Sequence, residues 1–117
     1  MPSSSEPPAA ADIIDLDHLR EVTLSDPELA REVLGMFESQ AGRLMEKLAA
    51  IPEDAGPLAH TLKGSARAIG AHRVAAAAAA LEAAIAAADD MRDPLARLGR
   101  EVTLARQAIA QGVDRRS

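Results

Sequence analysis

In the segment Ala59-His60-Thr61-Leu62-Lys63-Gly64-Ser65-Ala66, closed by Gly70-Ala71, one histidine sits among cations and a glycine at helical spacing. A helix turns about 100° per residue, which puts Leu58, Leu62, Ser65/Ala66 and Ile69 along one stripe of the buried type. His60 lies off that stripe. The residues three, four and seven places after it are Lys63, Gly64 and Arg67, so the outward face carries an imidazole, two cations and a gap without a side chain. An imidazole nitrogen is a nucleophile that can hold a phosphoryl group, whose charge and acceptor oxygens a nearby ammonium can screen and bond. The pattern suits a phosphate carrier. Glycine in mid-helix costs roughly 1 kcal/mol relative to alanine, so Gly64 beside the histidine implies a second surface approaching the backbone closely.

Two further histidines serve as internal controls. His18 falls in a short N-terminal helix and His72 just after Gly70; neither is followed by Leu-Lys-Gly, and both read as surface or capping residues. Other chemistries fail on inventory. Lys63-Gly64-Ser65 lacks the order and the strand-to-helix context of a P-loop, and no His-Glu-x-x-His or Gly-x-Ser-x-Gly occurs. With no cysteine there are no disulfides, thiolate metal sites or cysteine nucleophiles.

The elements that must position His60 are helices. Only 1% of residues are aromatic, Phe37 alone, while 48% are hydrophobic, so the core is built from Leu, Ile, Val, Met and Ala. Alanine leads the helix ranking, and strands would ask for β-branched and aromatic residues, so the class is all-α. A short helix is expected over about Asp15 to Leu24. Ser25-Asp26-Pro27-Glu28 reads as a capping box with Ser25 as N-cap, opening a long helix whose stripe is Leu29, Val33, Phe37, Ala41, Leu44 and Leu48, ended by Pro52. The motif helix follows, and Gly70 suits a left-handed C-terminal position. Val74, Ala78, Leu81 and Ile85 line the next helix; Asp93-Pro94 offers the N-cap and first-turn proline of the last, with Leu95, Leu98, Val102, Ala105 and Ile109 inward. Four long helices with short connections pack as an antiparallel, up-down four-helix bundle, and the short first helix covers one end. Residues 12–112 make one domain, between a disordered tail over 1–11 and a C-terminal tail over 113–117.

The net charge of −5 disfavours nucleic acid as a partner. Lys63, Arg67 and Arg73 nevertheless fall where no carboxylate occurs between Asp54 and Glu82, so the surroundings of the histidine should be positive and suit an acidic partner pocket. The first residues have neither the basic nor the apolar region of a secretory signal, and the alanine run Val74 to Ile85 is too short and too weakly apolar for a bilayer. No membrane association is expected, and a cytoplasmic location is the default.

His60 to Ser65, Gly70-Ala71 and Leu81-Glu82 together resemble the signature of the histidine phosphotransfer (HPt) domain family, a His-x-Leu-Lys-Gly-Ser run followed by Gly-Ala and later Leu-Glu. The resemblance extends over roughly residues 12 to 112; Ala66 stands where a second small hydroxyl is common. It implies a helical bundle and a stand-alone, bacterial-type phosphorelay protein in which His60, through Nε2, carries a phosphoryl group between aspartates of receiver domains. The donor would be the receiver domain of a hybrid histidine kinase and the acceptor that of a response regulator. The chain would be a carrier, not an enzyme, with no cofactor of its own and Mg²⁺ supplied by the receiver. Lys63 and Ser65 would stabilise the phosphate, and Gln40, in Phe37-Glu38-Ser39-Gln40-Ala41, would hydrogen-bond the other imidazole nitrogen. Gly64, Arg67 and Thr61 would belong to the docking face. A bundle that closes its own core is expected to act as a monomer. Two rival readings are the HPt-like domain of a chemotaxis-type histidine kinase and a helical adaptor that binds without chemistry.

Overall fold

The structure is a computed structural model and describes residues 10–112. Six helices follow in order: α1 (Ala10–Ile13), α2 (Leu16–Val22), α3 (Pro27–Ala49), α4 (Ala55–Ile69), α5 (His72–Ala86) and α6 (Arg92–Ala110). The last four form the bundle, each packing on two neighbours in the cyclic order α3, α4, α5, α6. The tails expected at 1–11 and 113–117 fall almost wholly outside the described residues; Ala10 and Ala11, placed in the first tail by the sequence, instead open α1. Among the described residues no helix is long and apolar enough to cross a membrane.

The buried stripe of α3 is Ala30, Leu34, Phe37, Ala41, Leu44 and Leu48. Leu29 and Val33, expected inside, are only half-buried. Helical geometry explains the correction: three successive four-residue steps from 29 to 41 drift by about 120° around the helix, whereas the 4-3-4 steps from 30 to 41 drift by about 20°. The same alternation governs α4, whose buried residues are Ala55, Ala59, Leu62, Ala66 and Ile69. Leu58 packs at the margin of the core and Ser65 is half-buried. Small alanines across this interface let the α4 and α5 backbones approach closely.

Two expected caps are corrected. Asp26, not Ser25, is the N-cap of α3: its Oδ1 accepts from the backbone N–H groups of Glu28 at 3.0 Å and Leu29 at 3.4 Å. Pro27 pushes the residue before it into extended backbone, the conformation an N-cap needs, while Leu24 and Ser25 both have positive φ in the preceding turn. At α6, Asp93 lies inside the first turn; the Asp90 carboxylate one residue before the Met91 cap accepts from the Arg92 backbone N–H at 2.9 Å and pairs with its guanidinium.

Gly70 ends α4 as expected, at φ 82°. The Ala71 N–H bonds the Ala66 carbonyl at 2.8 Å in a Schellman-type closure. The α1–α2 segment packs over this end. Asp15 N–H donates to the Gly70 carbonyl at 2.9 Å, and His18 Nε2 donates to the Ala68 carbonyl at 3.0 Å, one of the acceptors that a helix terminus leaves unpartnered. Ile13, Ile14 and Leu19 bury against the core beneath these bonds.

Candidate functional site

His60 lies midway along α4 with about two-thirds of its side chain exposed (66%). The inward residues Ala59 and Leu62 fix the helix, and the off-stripe position turns the imidazole out at the seam with α5. There Glu82 of α5 reaches back. Its Oε2 is 2.9 Å from His60 Nδ1 and its Oε1 accepts from Lys63 Nζ at 2.7 Å, so one carboxylate joins both polar residues of the motif. An ionised carboxylate only accepts, so Nδ1 carries the ring proton and Nε2 keeps its lone pair. The Lys63 ammonium holds the Glu82 carboxyl below its usual range, with the His60 ring adding to the effect and desolvation opposing it.

This arrangement revises the expected positive face. Lys63 is spent largely on Glu82 and is only 17% exposed, and Arg73 pairs with Glu101 of α6 at 2.9 Å. Arg67 is exposed and makes no ion pair among the described residues. Thr61, next to His60 in the chain, is also exposed. At Gly64 an added Cβ would meet no atom within 4 Å, so no contact within the chain requires a glycine there.

Gln40 and Ser65 come together elsewhere, in a groove between α3 and α4 that also takes in Met36, Phe37 and Arg43. Among the described residues Gln40 makes no hydrogen bond to His60; the ring's Nδ1 partner is instead Glu82, the acidic residue of the Leu81-Glu82 pair in the signature. The available signal was that Glu82 is the sole carboxylate between Asp54 and Asp89, on the helix that must run back along α4. His18 caps the end of α4, and His72 Nε2 sits 3.3 Å from Asp15 Oδ2, so both controls have structural partners. Asp15 is held below the usual carboxylate range first by the His18 backbone N–H and then by the His72 ring. No group of three or more metal-ligating side chains gathers among the described residues.

An exposed imidazole with a defined tautomer, an ammonium one turn away and an unobstructed helix face can take up and release a phosphoryl group. The family comparison agrees with that chemistry. No curated protein matches the chain. The model of the Hpt domain family matches residues 32–113, from the second turn of α3 through the end of α6 and across every residue of the His60 site. The chain therefore belongs to the Hpt domain family, helical-bundle phosphocarrier modules of histidine phosphotransfer in phosphorelay signalling.

Proposed function

We propose that His60 accepts a phosphoryl group from a phosphoaspartate of one receiver domain and passes it to an aspartate of another. The observation that carries this reading is the shared Glu82 carboxylate, bonded to Lys63 Nζ and to His60 Nδ1 of a ring that is two-thirds exposed. The Nε2 lone pair attacks phosphorus, the bond between phosphorus and the aspartyl oxygen breaks, and its electrons leave on the aspartate carboxylate. The ring retains its Nδ1 proton throughout and becomes a phosphoimidazolium, whose positive charge Glu82 balances; onward transfer reverses the same steps. Lys63 is the group offered to the phosphate oxygens, moving from Glu82 towards the new anion; Ser65, expected to share that role, lies in the α3–α4 groove on another face of α4 and is not given it. Gly64, Arg67 and Thr61 belong to the docking face, and the receiver supplies its aspartate and Mg²⁺, so the carrier needs no nucleotide. We place this role in the cytoplasm and in a monomer.

The test is uptake of acid-labile phosphate from a phosphorylated receiver. His60→Gln abolishes it and His72→Gln retains it; equal labelling of the His60 variant contradicts the assignment. Labelling by ATP and Mg²⁺ alone points to a kinase, and receiver binding without exchange to an adaptor.

A further inference from the structure

The two flanks of His60 are unlike. Towards α5 the surface is closed by the Lys63–Glu82 pair and continues over exposed alanines, among them Ala83 and Ala86. Towards α3 it crosses Gly64 and opens into a groove of about 430 Å³ lined by Met36, Phe37, Gln40, Arg43, Ser65 and Ile69, among others. Met36 stands 70% exposed, a large apolar side chain that the core does not use. Arg43 on the groove wall is bonded only to the Ser39 hydroxyl, at 2.9 Å, and has no carboxylate partner among the described residues. Ser65 lies five residues beyond His60, a rise of about 7.5 Å along α4.

A partner that brings an aspartate to His60 must cover the ground around it. A standard interface of about 800 Å² per side is a disc of roughly 16 Å radius, which reaches well past the near end of the groove. On the α5 flank such a partner meets methyl groups and a neutralised ion pair, and on the α3 flank an apolar seat, an unpaired guanidinium and amide and hydroxyl groups.

We propose that the α3–α4 groove is where the receiver domain is selected, with Met36 and Arg43 as its specificity-determining residues. The occupant is the receiver element next to the reacting aspartate: an apolar side chain seats against Met36 and Phe37, and a carboxylate on the same element pairs with Arg43. This rests on the phosphotransfer reading of His60 and adds to it which side of the histidine is read.

The experiment labels the protein on His60 with phosphoramidate, a small donor that needs no groove, and then follows label loss to purified receiver domains with Mg²⁺. For a receiver that accepts label from the wild type, Met36→Lys and Arg43→Glu each raise the receiver concentration for half-maximal transfer by about tenfold, and saturating receiver restores the rate. Arg43→Lys lies between them and the wild type, and Ala83→Lys on the other flank stays at the wild-type value. Unchanged transfer in both groove variants, or an equal loss in Ala83→Lys, overturns the proposal. So does sedimentation showing a wild-type dimer that Met36→Lys dissociates, which would make the groove a contact between copies. Label that forms on His60 and passes to no receiver counts instead against the phosphotransfer reading.

Discussion

Lys63 and Glu82 meet across the α4–α5 seam at 2.7 Å, and the pair fixes the carboxylate that holds His60. Without the ammonium the carboxylate would be free to swing to solvent, so Lys63 acts on the imidazole through Glu82.

Glu82→Gln tests this directly. The amide keeps the shape, loses the charge and bonds the ring more weakly, so transfer to His60 slows by about tenfold, the cost of exchanging a charged for a neutral hydrogen bond. The carboxyl is held below its ordinary value of 4.5, so its contribution to stability is fully present above that value and lost as pH falls through the lowered one. Acid unfolding of the two proteins should differ near neutrality, begin to converge as pH falls past 4.5 and meet only below the lowered folded-state value; parallel curves throughout contradict the coupling.

Substitutions at Gly64 should separate folding from the proposed docking. Because a Cβ there meets nothing within 4 Å, Gly64→Ala should raise stability by about 0.5–1 kcal/mol through helix propensity, read as a higher Tm. Gly64→Gln should fold equally well yet slow transfer from a receiver. Fast transfer by Gly64→Gln removes the close-approach argument.

Gly70 behaves oppositely. Its φ of 82° disfavours any L side chain, and an added Cβ would lie 3.0 Å from the Asp15 carbonyl oxygen and 3.1 Å from Asp15 Cβ. Gly70→Ala is expected to cost about 2 kcal/mol, measured by urea denaturation. A loss within experimental error would mean that the α1–α2 segment yields easily.

The corrected cap of α3 makes a paired prediction. Asp26→Ala removes the acceptor for two backbone N–H groups and should cost about 1 kcal/mol, whereas Ser25→Ala, one residue earlier, should change stability little. The reverse order would restore the capping box.

The helix that carries His60, the outward place of that histidine and the glycine ending the helix are legible in the sequence because each depends on local spacing. The partner of the imidazole is not. Gln40 and Glu82 are both polar residues on helices flanking α4, and choosing between them requires the rotation of α3 and α5, which long-range packing sets. The same rotation moved the α3 stripe from Leu29 and Val33 to Ala30 and Leu34, since four-residue steps look periodic locally and accumulate drift. At Asp26 two adjacent residues could both cap; the backbone restriction imposed by Pro27 decides between them, a rule that acts on the residue before a proline and leaves Ser25 outside the helix. The positive face was misread for a related reason: Glu82 and Glu101 are distant in sequence from Lys63 and Arg73 and adjacent to them in the bundle.

Asp15 and His18, which bond the last turn of α4, lie outside the span that the family model matches. A chain shortened to residues 32–113 would leave the Ala68 and Gly70 carbonyls to water and uncover the sites of Ile13, Ile14 and Leu19. The final turn of α4 would then fray, and fraying is felt inward along the helix towards His60. In this protein the leading segment works as a terminal clamp: it holds the far end of the helix that presents His60.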